Sequence, residues 1–398
     1  MHKEKFILYI LASVNFTHVM DVMIMMPLGD VFMETFSISP KQFSLLVSSY
    51  AIAAFCSSII AVSYLDTFDR RNALLLMYGG MVIGTILCAT STSYEMLLAL
   101  RFVTGFFGGV IGALALSVVS DVFEFERRGK AMGTLMAGFS AAAALGVPVG
   151  LYLADVFNWR IPFLIIGGVG VILWFLIFFR FPKMIGHFSQ LNLNRSLFRI
   201  LRSILGNRNQ RNALVLGIVL VLGHFIIIPF IAPYMTRNVG FTQREISYIY
   251  FVGGTLTVFS SPYFGLLTDR HGVQRVFRAL VFISIIPVIA ITHMPRVAIP
   301  VALIATSIFF VVGSGRMIPP QTLITAAVGK ENRGSFMAVK SALQQLGVAL
   351  AAAISGMIVS LNESTGELDN YHFVGYLSIA ICLFAIYLAT KISVVREE

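Results

Sequence analysis

Long apolar stretches constrain this chain most, because a segment of about 20 apolar residues can cross a lipid bilayer as a helix. Twelve such segments follow one another, at about 5–28, 42–64, 73–92, 96–119, 131–154, 161–181, 212–236, 245–267, 276–293, 298–322, 335–361 and 371–390. Only 12% of the residues are charged, compared with roughly 25% in a soluble domain. The sequence therefore predicts an all-α membrane protein with twelve transmembrane helices, numbered span 1 to span 12, surrounded by a lipid bilayer.

Positive charges are distributed unevenly between the two sides of this predicted bundle. With an even number of spans both termini lie on one side, and that side carries most of the Lys and Arg residues. The other side carries Lys41, Arg160, Arg237, Arg244 and Arg296. Since positive residues accumulate in cytoplasmic loops, we expect both termini in the cytoplasm, and the short loops favour a bacterial inner membrane. This rule also accounts for the net charge of +10, so nucleic acid is not an expected partner.

The chain also divides into two similar halves. Residues 1–181 and 212–398 each contain six spans, and residues 182–211 form a linker in which leucines beside arginines predict a short interfacial helix. Offsets of 206, 203 and 205 residues align His18 with His224, Asp66 with Asp269, and Arg128 with Arg333. Two related six-helix bundles with a binding site between them are a known transporter architecture.

Span 1 carries a histidine and an aspartate inside its apolar run, NFTHVMDVMIMMPLGD. His18 and Asp21 lie three residues apart and therefore share one face of a helix. Asp21 is the carboxylate that lies well inside a predicted span, where a charge costs about 2.5–3.5 kcal/mol on insertion scales. Such a residue normally faces a watery cavity or a charged partner, so the sequence predicts a functional site here.

The turn after span 8 reads GLLTDRHGVQR, and it resembles the G-x-x-x-D-R-x-G loop of the major facilitator superfamily. The resemblance extends over the whole chain and implies two pseudo-symmetric six-helix bundles that rock against each other. It assigns conformational gating to Gly265, Asp269, Arg270 and Gly272. The first-half copy, VSYLDTFDRR, keeps Asp66, Arg70 and Arg71 but has Val62 and Asp69 where the family has glycine.

Two further segments resemble motifs of the drug:proton antiporter branch, the twelve-helix efflux proteins of this superfamily. Span 4 contains LRFVTGFFGGVIG, in which Arg101 and the glycines match an arginine-and-glycine motif. Span 5 contains Gly146, Pro148 and Gly150 in GVPVG, similar to a glycine-proline motif of exporters, although Val147 separates the first glycine from the proline. We expect this bent segment to lie against the other half and to act in gating.

The family fold implies that spans 1, 4, 7 and 10 line a central cavity. The resulting cavity residues are His18, Asp21, Arg101, His224 and Arg316, and span 11 adds Lys340 and Gln344. Arg101 is expected to pair with Asp21 directly or through water. Alternatives remain for three of these residues: Arg101 or Lys340 could extend to an interface, and His224 could be a hydrogen-bonded core histidine.

The sequence also indicates the energy source. It has no phosphate-binding loop, no H-E-x-x-H metal site and no nucleophile motif, and Cys56, Cys88 and Cys382 lack metal-ligand spacing. We therefore expect no metal, no cofactor and no enzymatic activity. Protons are the simpler coupling ion, with Asp21 as the carrier and with His18 and Arg101 adjusting its affinity for the proton.

These observations predict a monomeric, proton-coupled exporter of a small organic molecule that works by alternating access. The two interior arginines favour an anionic or zwitterionic substrate over a lipophilic cation. One alternative is a proton-coupled importer of a sugar, an organic acid or a nucleoside. Another, from a different class, is a non-transporting receptor or lipid-handling protein of the same fold.

Overall fold

The computed structural model describes residues 2–64, 68–184, 197–329 and 333–394. The first half contains α1 His2–Ile24, α2 Gly29–Thr35, α3 Pro40–Tyr64, α4 Arg70–Ala89, α5 Tyr94–Gly108, α6 Ile111–Val122, α7 Phe125–Ala141, α8 Val147–Val156 and α9 Arg160–Arg180. The linker helix is α10 Leu197–Gly206. The second half contains α11 Arg208–Phe225, α12 Ile228–Tyr234, α13 Gln243–His271, α14 Val273–Thr292, α15 Ile299–Gly315, α16 Ile318–Ala326, α17 Arg333–Ile358, β1 Ser360–Leu361, β2 Leu368–Asp369 and α18 Tyr371–Ala389.

The predicted spans correspond to these helices. Eleven helical stretches of the described chain are long and apolar enough to cross a membrane. The remaining span, α13, has 29 residues, which give a length of about 43 Å at 1.5 Å per residue. The all-α fold with two six-helix halves is therefore confirmed, with a short β1–β2 hairpin between spans 11 and 12.

Four spans are interrupted near their middle or towards one end. Span 1 breaks between α1 and α2, span 4 between α5 and α6, span 7 between α11 and α12, and span 10 between α15 and α16. Pro27, Pro229 and Pro319 lie at or just after three of these breaks, where a missing backbone N–H is tolerated. The first span, expected at about 5–28, is helical over His2–Ile24 and continues as α2 after the break.

The two halves contact each other towards the side of the bundle that lies opposite the chain termini. We call the face that carries the starts of α1 and α11 and the end of α18 the terminal face, and the opposite face the distal face. One apolar core combines residues of both halves near the distal face, while two others each belong to a single half nearer the terminal face. Phe43 and Phe230 meet edge to face across the halves at 5.8 Å, and the Ser48 hydroxyl donates to the Ala349 carbonyl at 3.1 Å. The bundle is therefore closed on its distal side.

Spans 5 and 8 also pack closely across the halves. A π-helical turn at Ala142–Gly146 interrupts span 5, and a Cβ added to Gly254 would lie 2.9 Å from the Ala143 carbonyl oxygen. Gly146 and Gly150 instead face span 1, at Met20 and Ile24 of their own half. The bent segment itself contacts span 8 of the other half, through the alanines of the π-helical turn and through α8, while these two glycines pack within their own half.

Candidate functional site

Asp21 and Arg101 form a buried ion pair between spans 1 and 4. The Arg101 Nη1 atom lies 3.0 Å from Asp21 Oδ2, and the two side chains are 1% and 0% exposed. Removing two charges from water is costly, so such a pair persists only when each charge has good partners. Because Arg101 points at the carboxylate, it does not extend to the membrane surface.

Two neighbouring spans complete this charge pair. The Thr85 hydroxyl of span 3 lies 2.9 Å from Asp21 Oδ1 and 2.9 Å from the Met81 carbonyl oxygen of its own helix, so it shares one proton between these two acceptors. The Arg101 guanidinium carbon lies 4.5 Å from the centroid of the Tyr50 ring in span 2, a cation–π contact. Spans 1 to 4 of the first half therefore all hold the pair in place.

The glycines of span 4 allow this arrangement by close packing. A Cβ on Gly105 would lie 2.3 Å from the Tyr50 carbonyl oxygen, and one on Gly108 would lie 2.1 Å from the Tyr50 hydroxyl. Larger side chains would displace span 2 and, with it, the aromatic ring beneath Arg101. The arginine-and-glycine motif thus joins charge placement to helix packing.

His18 lies beside the pair but has a different exposure. Its Nδ1 atom is 3.5 Å from the Tyr50 hydroxyl, and the residue is partly exposed whereas Asp21 is fully buried. A chain of polar groups therefore leads from Asp21 through Arg101 and Tyr50 to His18. This chain can relay a change in charge from a partly exposed position to the buried carboxylate.

Replacing Thr85 with valine is expected to destabilise the protein by about 1.5 kcal/mol, because a hydrogen bond to a charged group is lost. The melting temperature in detergent would fall by about 3 °C. Thr306→Val is the matched control: Thr306 is equally buried, but its hydroxyl donates only to carbonyls of its own helix. Equal melting shifts in the two variants would contradict the role of Thr85.

Arg316 is buried in the second half and hydrogen-bonded to spans 7 and 9. The residue is 2% exposed, Nη1 donates to the Ser284 hydroxyl at 2.9 Å, and Nη2 donates to the Gly223 carbonyl at 3.4 Å. Ser284 belongs to span 9, behind the broken spans 7 and 10. The guanidinium is therefore directed into the interior of the second half.

His224 and Lys340 also lie in the second half. The His224 ring stacks on Phe309 with centroids 6.0 Å apart, and its buried Nδ1 has no hydrogen-bond partner in the part of the chain that the structure describes. Lys340 is 6% exposed and donates to Gln321 Oε1, so it does not extend to the membrane surface. Gln344, one turn further along span 11, is partly exposed.

The two predicted gating loops differ in the hydrogen bonds and ion pairs that their residues make. Asp66 lies outside the described residues. Arg70 donates to Asp121 of span 4 at 3.2 Å, and Arg71 donates to the Phe178 carbonyl. Asp269 and Arg270 are exposed at the end of α13, and neither takes part in an ion pair within the described segments.

Two glycines and one aspartate complete the description of these loops. Gly272 has φ +84°, which a residue with a side chain rarely adopts, and it ends α13. Gly265 has open space around its Cβ position. Asp69, which stands where the family has glycine, caps α4 by accepting from the Arg71 backbone N–H at 3.0 Å. Its capping role explains this departure from the motif.

A second ion pair closes the distal face, and the sequence analysis missed it. Arg237 of span 7 donates to Asp30 of span 1, and to the Gly366 carbonyl of the hairpin turn at 3.4 Å. Asn238 holds the same hairpin by two hydrogen bonds with the Leu368 backbone, each 3.0 Å long. Burial raises the pKa of Asp30, and Arg237 acts in the opposite direction. The pair therefore joins span 1 to span 7 across the two halves at the distal face.

Comparisons with known proteins define the family. The family model described as Major Facilitator Superfamily matches residues 11–223 and 213–397. The chain belongs to this superfamily and is a membrane transporter. Within the described residues, no group of three or more His, Cys, Asp or Glu side chains could hold a metal ion.

Individual relatives are distant in sequence but similar in length. The uncharacterised transporter YbcL of Bacillus subtilis is 24% identical over 378 residues, covering 95% of this chain and 94% of YbcL. The inner membrane transport protein YdhP of Escherichia coli O157:H7 is 24% identical over 320 residues, covering 79% of each chain. A bacterial homologue of the human lysosomal transporter Spinster, solved in an inward-facing and unoccupied conformation, superposes with a TM-score of 0.79 at 15% identity, over 98% of this chain and 97% of the homologue.

Proposed function

We propose that this transporter is a proton-coupled exporter of a small organic molecule, in which Asp21 carries the proton. The observation that carries this proposal is the fully buried Asp21–Arg101 pair between spans 1 and 4. A carboxylate in this position is costly to maintain and has no packing function that an apolar residue could not fulfil. Its chemistry, the exchange of one proton, accounts for its presence.

Protonation of Asp21 changes how spans 1 and 4 hold together. The neutral carboxyl no longer balances Arg101, whose guanidinium then has the Tyr50 ring as its remaining charge-stabilising contact. Breaking one member of a buried pair costs about 3–5 kcal/mol, enough to favour a different arrangement of the two spans. Protonation is thereby linked to movement of span 1 relative to span 4.

The closed distal face determines when Asp21 can take up a proton from outside. If the terminal face is cytoplasmic, as the positive residues predict, the structure is the inward-facing state. Asp21 has no exposed surface here, so it binds an external proton only when the halves rock and the distal face opens. It releases that proton towards the terminal face when the halves return and Asp21 pairs with Arg101 again. His18, which is partly exposed, marks the side from which water would reach the pair.

One proton per cycle supplies enough free energy to drive transport. One elementary charge crossing 100 mV supplies about 2.3 kcal/mol. This free energy supports a substrate gradient of roughly fiftyfold. A substrate gradient of this size therefore requires no ATP-binding site.

Energised inside-out vesicles test the proposal. An exporter accumulates its substrate in these vesicles when respiration acidifies their interior, and a pH-sensitive dye reports proton movement out of the lumen on substrate addition. A screen of organic anions, zwitterions and cations should yield one class that moves protons. Accumulation in right-side-out vesicles alone would indicate an importer of the same fold, and the absence of proton movement with every compound would indicate a non-transporting protein.

A further inference from the structure

The two halves differ in how their buried positive charges are balanced. In the first half, Arg101 is paired with Asp21 and Arg70 with Asp121. In the second half, Arg316 and Lys340 are buried against neutral oxygens only. Within residues 2–64, 68–184, 197–329 and 333–394, neither cation forms an ion pair with a carboxylate.

Lys340 is the better placed of these two cations to receive a ligand. Arg316 has both terminal nitrogens bonded to fixed groups of spans 7 and 9. A lysine ammonium has three donors, and in the described structure one of them is used, by Gln321 of span 10. A buried cation with spare donors and no counter-charge is a costly arrangement that an anion would relieve.

The surroundings of Lys340 combine amide groups with an apolar wall. Gln321, which accepts from the Lys340 amine, and Gln344, one turn further along span 11, are both partly exposed. The Lys340 stem packs near span 7, where a Cβ added to Gly217 would touch both this stem and the Ile324 side chain. These groups suit a carboxylate attached to an apolar body.

We propose that the transported substrate is an organic anion whose charge is bound by Lys340, with Gln321 and Gln344 as neighbouring amide groups. This inference rests on the proposed function and adds the substrate class. Gln321 gives up its hydrogen bond with Lys340 when the anion enters. Export of a monoanion in exchange for one proton moves two elementary charges inward, so transport is driven by the membrane potential as well as by the pH gradient.

Ligand-dependent melting of the purified full-length protein tests this assignment. Sodium benzoate and neutral benzamide are compared at equal ionic strength, with wild type, Lys340→Gln and Lys391→Gln. Lys391 is an exposed lysine on the terminal face and serves as the control for loss of one positive charge. Benzoate is expected to raise the melting temperature of wild type and Lys391→Gln by about 3 °C more than benzamide does. Lys340→Gln should lose this difference.

Further comparisons distinguish binding from general stability. Without ligand, Lys340→Gln is expected to melt no lower than wild type, because a neutral amide replaces an unbalanced buried charge. Lys340→Arg keeps the charge and should keep the preference for benzoate. Equal effects of benzoate and benzamide on wild type, or an unchanged preference in Lys340→Gln, would overturn the proposal. No proton gradient is used, so either result leaves the role of Asp21 standing.

Discussion

Asp21→Asn is expected to abolish the contribution of the proton to the substrate gradient, a factor of roughly fifty at 100 mV. Asparagine has the size of aspartic acid and can accept the Thr85 hydrogen bond, but it cannot bind and release a proton. Substrate exchange without a gradient should persist, because the amide resembles the protonated carboxyl. The measurements are substrate accumulation in energised vesicles and exchange in vesicles without a gradient.

Controls for Asp21→Asn separate coupling from folding. Glu4→Gln removes another carboxylate of span 1, one in a partly exposed pair with Arg127, and should leave the gradient intact. Asp21→Asn also leaves Arg101 unpaired, at a cost of about 3–5 kcal/mol. Adding Arg101→Gln should recover the lost melting temperature without recovering accumulation. Full accumulation by Asp21→Asn would exclude Asp21 as the proton carrier.

A crosslink between positions 30 and 237 is expected to reduce transport by more than about tenfold, because it joins the two halves where they must separate. Asp30→Cys and Arg237→Cys are introduced into a chain in which Cys56, Cys88 and Cys382 are replaced by serine, and are joined with a reducible thiol crosslinker. Reduction of the crosslinker should restore transport. The measurement is substrate accumulation before and after reduction.

The matched control uses an ion pair that lies on the same face but within one half. Arg296 and Glu367 are 3.4 Å apart, and both belong to the second half. A crosslink between Arg296→Cys and Glu367→Cys should leave transport unchanged, because these residues move together. If both crosslinks inhibit equally, the Asp30–Arg237 contact is not the one that opens during the cycle.

The sequence predicted the fold well because the bilayer restricts the choice of structure. Apolar length locates a spanning helix even without knowledge of its neighbours. The expectation that Arg101 pairs with Asp21 rested on the family fold, which places spans 1 and 4 around the same cavity, and the two side chains do form an ion pair. Thr85 and Tyr50 could not be assigned, because their contacts depend on the rotation of spans 2 and 3 about their axes, which apolar spans of nearly uniform hydropathy do not reveal.

The sequence contained an indication of the ion pair between Asp30 and Arg237 that was not recognised. Asp30 and Arg237 are 207 positions apart, close to the 203 to 206 offsets of the internal repeat. Residues at equivalent positions of two pseudo-symmetric halves meet when they lie near the axis that relates the halves. No sequence pattern indicated where the Arg316 side chain points, because the break between α15 and α16 sets the direction of this side chain.

Proton access to Asp21 can be measured by infrared difference spectroscopy after a pH step. The spectra would follow the carboxyl band that Asp21→Asn removes, in the Asp30→Cys, Arg237→Cys protein before and after crosslinking. The band should respond to external pH in the uncrosslinked protein, within the time of a transport cycle, and should stop responding once the distal face is locked. A band that responds equally in both forms would show that Asp21 exchanges its proton without movement of the two halves, and would contradict the proposed cycle.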